Sequence, residues 1–158
     1  MPDVHPNCVA VNEILERAGA KGRVVVLHEP APTAAAAAAL VGCEVGAIAN
    51  SLIFSTAEHT PLLVLTSGAH RVDTAKVATL VGTAKLSRAT PEFVLAATGQ
   101  RIGGVSPVGH PAPVRTLVDV ELANFPSVWA AGGIAHAVFE TSYAELLQLT
   151  GGEPAVVG

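Results

Sequence analysis

Charge is scarce in this chain: Asp, Glu, Lys and Arg make up 14% of 158 residues, and aromatic residues only 4%. Disordered chains show the opposite balance, many charges and few apolar groups. Here half the residues are apolar, so a packed core is expected. Alanine and valine supply much of that fraction, and the core must therefore be built from small aliphatic side chains. Cysteine is nearly absent. Cys8 and Cys43 fall in different expected segments, with no Cys-x-x-Cys pair. This argues against a disulfide framework and for two reduced thiols acting as small hydrophobes. No apolar run approaches the ~20 residues that span a bilayer, so no membrane partner is expected. The start, Met1 to Pro6, has neither the basic nor the apolar region of a signal peptide, and a cytoplasmic location is the expectation. Positive charge is short as well, with nine Lys and Arg against thirteen Asp and Glu, a formal charge of −4. Coating DNA or a long RNA needs a basic face. DNA is not an expected partner, whereas a protein gripping only the tip of an RNA needs no such excess.

The usual catalytic motifs are missing too. The six histidines (His5, His28, His59, His70, His110 and His136) show no metal-ligand spacing, so neither a metal nor a cofactor is expected. There is no Gly-x-Ser-x-Gly elbow and no P-loop. The run Gly99–Gly104 departs from the dinucleotide fingerprint and follows an expected helix rather than a strand. Neither cysteine has a base beside it.

What is present is a mixed order of helices and strands. Asn7 is expected to cap a helix carrying Val11, Ile14, Leu15 and Ala18 that stops at Gly19. Arg23 to Leu27 reads as a buried strand, followed by a break at Pro30 and Pro32. Thr33 can cap the alanine tract Ala34–Leu40, where helix propensity is highest. Ile48–Phe54 and Leu62–Leu65 read as the strands of a hairpin. Asp73 is expected to cap a helix through Val81, and Thr90-Pro91-Glu92 opens another that ends at Gly99. Val114–Val118, Val128–Ala131 and Ala137–Phe139 are strand candidates. Ser142 and Glu145 have capping-box spacing before a last helix, and Gly151–Gly158 is expected to be loosely ordered. Adjacent strands among dispersed helices do not suit a regular βαβ array. They suit a single domain over 1–158 of α/β class, with a mixed, curved sheet flanked by helices.

The loop Gly99–Pro113 holds four glycines and three prolines. A surface connection is the plain reading. The sharper one is that consecutive glycines bring backbone N–H groups close to a ligand, with prolines holding the shape. Four motifs then stand in register: Ile48-Ala49-Asn50-Ser51-Leu52-Ile53-Phe54, Gly103-Gly104-Val105-Ser106-Pro107-Val108-Gly109, Thr116-Leu117-Val118-Asp119 and Trp129-Ala130-Ala131-Gly132-Gly133. Together, over roughly residues 8–150, they resemble the YbaK/EbsC family, free-standing relatives of the editing domain inserted in bacterial prolyl-tRNA synthetases.

The resemblance implies a barrel-like mixed sheet and hydrolysis of the ester joining a wrong amino acid to the tRNA 3′ adenosine. It implies no side-chain nucleophile: an activated ester needs positioning and oxyanion stabilisation. Gly103, Gly104 and Asn50 would form the catalytic centre, with Ser51, Ser106, Pro107, Ala131, His136 and Val138 around the substrate. The partners implied are the tRNA acceptor end and an aminoacyl-tRNA synthetase. Two departures stand out. Asn50 replaces the family's usual lysine and cannot act as a point cation. Ala131 and Val138 replace polar residues of the cysteinyl-tRNA-deacylating branch, which makes the expected amino-acid pocket more apolar. Arg101 and Arg115, flanking the glycine loop, are candidates for the phosphate contacts. His28 and Glu29 are weaker candidates for the pocket rim. Asp119 is expected to cap rather than catalyse, and Trp129 to sit in the core. A binder without turnover and a small-metabolite hydrolase are the alternative readings.

Overall fold

The computed structural model describes residues 5–31 and 33–158. Met1–Val4, read above for targeting, and Pro32 of the proline break lie outside them. Eight strands among the described residues form one mixed sheet: β1 (Val25–Val26), β2 (Ile48–Thr56), β3 (Pro61–Ser67), β4 (Leu86–Arg88), β5 (Arg115–Asp119), β6 (Val128–Ala131), β7 (Ala137–Thr141) and β8 (Glu153–Ala155). Their order is β1-β7-β6-β2-β3-β5-β8, with β4 on β2. Five α-helices flank it: α1 (Pro6–Arg17), α2 (Ala34–Val41), α3 (Thr74–Val81), α4 (Pro91–Thr98) and α5 (Tyr143–Thr150).

Strand alternation divides the core into two layers. Leu63 and Leu65 of β3 and Val118 of β5 face a cluster containing Val11 and Leu15 of α1, Val94 of α4 and Leu146 of α5. Leu62, Val64 and Leu117 face the other way, against Val77 of α3 and Val157. With both faces covered, β3 is buried along nearly its whole length. The alanine tract forms α2, capped by Thr33 Oγ1 accepting from the Ala36 N–H (3.1 Å). Its Ala37 and Ala38 pack on Ile48.

Four expectations are corrected. Asn7 is not the first cap: His5 is, its Nδ1 accepting the Asn7 N–H at 3.1 Å, because Pro6 is preorganised for the first helical position. The Asn7 amide donates instead to the Gly133 carbonyl (3.0 Å). The Arg23–Leu27 run contributes only the two residues of β1, with Val25 and Val26 49% and 52% exposed. Paired only with β7 at the sheet's edge, it is not buried. The tail is ordered: β8 adds in parallel to β5, and Val157 is fully buried. Trp129 is half-buried rather than core, against α2.

The feature that creates the site is the pairing of β2. One edge is bonded to β3 from Ala49 to Ser55. The other edge carries β6 at Ile48 and Ala49, then β4 from Phe54 to Thr56. Between them, β6 and β4 diverge and leave Asn50, Ser51 and Leu52 without a strand on that side.

Candidate functional site

That gap opens into a small pocket of about 80 Å³. Its walls are almost all methyl groups: Ala34 and Ala37 of α2, Ala49 of β2, Ala130 and Ala131 of β6, and Ala135 and Ala137 around the β6–β7 turn. Ala31, Ile48, Val105, Trp129, Ile134 and Val138 complete the apolar lining. Thr33, Asn50 and Ser51 are the polar side chains, and no carboxylate, Lys or Arg lines the pocket. The pocket shares Thr33, Ala34, Asn50, Ser51, Gly103 and Val105 with a wider groove of about 540 Å³, whose other walls include Arg71, Arg88, Val94 and Ile102. A small chamber thus meets a wider groove carrying two arginines at Asn50, Ser51 and Gly103.

The glycine loop reaches this junction because its far side is clamped. Gln100, 3% exposed, accepts the Ser106 N–H at Oε1 (2.6 Å) and donates from Nε2 to the Val108 carbonyl (3.1 Å). Thr98 Oγ1 holds Gln100 in turn, accepting its N–H (3.1 Å) and donating to its carbonyl (3.0 Å). His110 Nε2 donates to the Ser106 carbonyl (2.8 Å), and burial lowers its pKa from the ordinary histidine value, partly offset by that bond. Gly103 has φ +96°, and a β-carbon there would meet only open space. Among the described residues no acceptor pairs with its N–H. Gly104 does something else: a β-carbon would fall 2.6 Å from Ile134 Cα and from Ala135 N, so a bare backbone is needed for the loop to lie on the β6–β7 turn.

Below the junction, Asp119 is 1% exposed. Its Oδ2 accepts from the Ser67 N–H (2.9 Å), the Thr66 hydroxyl (3.3 Å) and His70 Nε2, and its Oδ1 accepts from Glu121 N–H (3.0 Å). Thr66 and Ser67 are the register partners of Asn50 and Ala49, so this buried carboxylate fixes the end of β3 beside Asn50. Capping, not catalysis, is its geometry.

Of the residues singled out by sequence, Asn50, Ser51, Gly103, Ala131 and Val138 meet at the pocket. Gly104 supports it from behind. Ser106 and Pro107 do not reach it: both are buried, and Ser106 spends its Oγ on the Val108 N–H (3.3 Å). His136 is outside the lining, and its carbonyl ties β1 through Leu27 N–H (2.6 Å). Arg115 points elsewhere, paired with Glu153 Oε1 (3.1 Å) and donating to the Val81 carbonyl (3.2 Å). Arg101 is exposed and lines neither cavity, as are His28 and Glu29. The arginines that do face the groove, Arg71 and Arg88, carry no local signal. Arg88 arrives through β4, a three-residue strand too short to show a period. Gln100 was equally hidden, since its partners lie across a loop.

Ser51 Oγ is buried and has no hydrogen-bond partner among the described residues. A buried unpaired hydroxyl is costly, and its position at the junction makes a bound group its natural partner. Ser51→Ala is expected to leave thermal stability unchanged or slightly raised, because no internal bond is lost. A loss of more than about 1 kcal/mol in denaturant titration, the net worth of a typical hydrogen bond, would mean that the hydroxyl is already paired within the fold.

Fold and site define a small α/β domain in which a small chamber opens onto a wider groove. Residues 28–149 match the model of the aminoacyl-tRNA editing domain, and the chain belongs to that family, the YbaK-like group its motifs resemble. A crystal structure of a proposed trans-editing enzyme for prolyl-tRNA synthetase is 42% identical, with TM-score 0.91 over 98% of both chains. The protein YwhH of Bacillus subtilis, itself uncharacterized, is 31% identical over 114 residues, 72% of each chain. Proline–tRNA ligase of Nitratidesulfovibrio vulgaris is 28% identical over 127 residues, 73% of this chain but only 22% of the ligase. No helix among the described residues is long and apolar enough to cross a membrane.

Proposed function

We propose that the protein deacylates mischarged aminoacyl-tRNA in trans, using positioned backbone and water rather than a side-chain nucleophile. The observation that carries this reading is the junction itself: an alanine-walled chamber of about 80 Å³ meeting the groove beside the unpaired N–H of Gly103. The amino-acid side chain occupies the chamber and the terminal nucleotide lies in the groove, which puts the ester at Gly103 and Ser51. Water attacks the carbonyl carbon and a tetrahedral oxyanion forms. The C–O bond to the ribose then breaks, and the proton from the water goes to the departing ribose oxygen. A preorganised N–H facing the developing charge is worth several kcal/mol in a site that excludes water. No titrating side chain lines the chamber, so rate enhancement rests on orientation and electrostatics. The chamber's size selects a small acyl group.

The test is amino-acid release from a panel of mischarged tRNAs. Alanyl- and seryl-tRNA are expected to be cleaved faster than esters of leucine or phenylalanine, whose larger side chains fit the chamber less well. If alanyl-, seryl- and cysteinyl-tRNA all survive, the hydrolase reading fails.

Asn50 supports a second reading, a binder of the tRNA acceptor end without turnover, because a lysine is the family's usual residue there. Asn50→Lys separates the two. Neither cavity offers a carboxylate to pair with a new ammonium, and burying one unpaired is costly. A working parent is therefore expected to lose about tenfold in kcat/KM, some 1.4 kcal/mol of transition-state stabilisation. Activity gained by a parent that had none would instead make the parent a binder.

A further inference from the structure

We propose that the acceptor strand of the tRNA leaves the pocket along a cationic track running from Arg71 past Arg88 to Lys85. The path rests on the reading above, in which the aminoacyl end sits at Gly103. Three observations carry it. First, the groove at the pocket mouth does not end at Arg88. This arginine also lines a second hollow of about 530 Å³ formed by the far end of β2, by β4 and by the start of α4, with His59, Lys85, Ser87, Thr90 and Phe93 in its walls. The two hollows share Arg88, and the proposed track follows both past it.

Second, no Asp or Glu lines either hollow, although the chain has thirteen acidic residues against nine Lys and Arg. Arg71, Arg88 and Lys85 are exposed, and none has a salt bridge among the described residues. The Arg88 guanidinium sits over the Phe54 ring, 5.8 Å from its centroid, which holds it in place without neutralising it. Beyond Thr56 the sign changes: the next hollow contains Glu58, and Arg115 there is matched by Glu153. Arg17, Lys21, Arg23, Lys76 and Arg101 also have no salt bridge among the described residues, but none of them lines either hollow.

Third, the two hollows offer apolar faces beside the charges. Ile102 is 48% exposed at the inner end and Phe93 is half-buried at the outer one. Phosphate partners together with an aromatic face such as Phe93 are what a single-stranded nucleic acid end uses. An acidic protein can bind RNA in this way because attraction is local and screened within about 10 Å at moderate salt.

The test is binding of an uncharged RNA hairpin that copies an acceptor stem with its single-stranded 3′ end, followed by fluorescence anisotropy over a salt series. Lys85→Gln and Arg88→Gln are each expected to raise Kd five- to tenfold. Each should also flatten the slope of log K against log salt by about 0.7–0.9, the signature of one lost phosphate contact. Arg115→Gln is expected to change neither. Lys85 carries the argument if Arg88→Gln disturbs packing on Phe54. Unchanged Kd and slope in both variants, or a parent that does not bind the hairpin, overturns the track whether or not the protein deacylates. Binding that weakens as described, in a protein that cleaves no mischarged tRNA, upholds the track and refutes the hydrolase reading.

Discussion

Replacing Gly104 by alanine is expected to destabilise the protein by about 3 kcal/mol, the upper end of ordinary overpacking, while the same change at Gly103 costs about 1–2 kcal/mol of left-handed backbone strain. The added carbon at position 104 meets backbone, Ile134 Cα and Ala135 N both at 2.6 Å. Backbone cannot turn aside as a side chain can. The loop must lift from the β6–β7 turn, or the turn must shift and carry Ala135 and Ala137 of the pocket wall with it. At Gly103 there is room for the atom and only φ +96° opposes it. That open space is the mouth of the pocket, so the fold survives and the substrate meets an obstruction. Thermal unfolding and deacylation measured on both variants separate the two roles. Gly104→Ala should lower Tm by roughly 10 °C, given 2–4 °C per kcal/mol at this size. Gly103→Leu should lose activity with a much smaller change in Tm. Equal thermal losses at the two positions would contradict the assignment of packing to Gly104 and of the opening to Gly103.

Asp119→Ala is expected to cost about 3–5 kcal/mol, the range for removing one partner from a buried charged network. The substitution strands the Ser67 and Glu121 N–H groups, the Thr66 hydroxyl and His70 Nε2, all of which now share one carboxylate. Asp119→Asn should recover part of the loss, since its amide oxygen still accepts while its amino group faces donors. Because Thr66 and Ser67 pair with Asn50 and Ala49, activity should fall together with stability, unlike Ser51→Ala. Urea titration gives the first quantity and the rate of amino-acid release the second. A fully stable Asp119→Ala would show that the network contributes nothing to holding the end of β3.

The elements that sequence made legible are those whose information is local. Thr33, Asp73, Thr90 and Ser142 each accept the N–H three residues ahead, as a capping residue must, and the β2–β3 hairpin follows from two apolar runs joined by a short polar turn. The elements that were missed depend on distant partners. β4 and β8 are three residues each, too short for a period, and exist because β2 and β5 offer open edges. The Arg23–Leu27 run carried the right residues for a buried strand, but whether a strand is buried depends on its neighbours. Those neighbours stop at β7.

The same division holds for the site. By itself the sequence determined the family and named Gly103, Asn50, Ser51, Ala131 and Val138 as site candidates, because these lie in or beside contiguous motifs. Only the tertiary structure decided which side chains line the pocket and the groove. It turned Ser106 and Pro107 behind the loop, paired Arg115 with Glu153, and brought Arg71 and Arg88 from separate segments to one groove. A motif specifies backbone over a few residues. Convergence of charges across a sheet depends on strand register and on where two strands part, and neither is written in any short stretch of the chain.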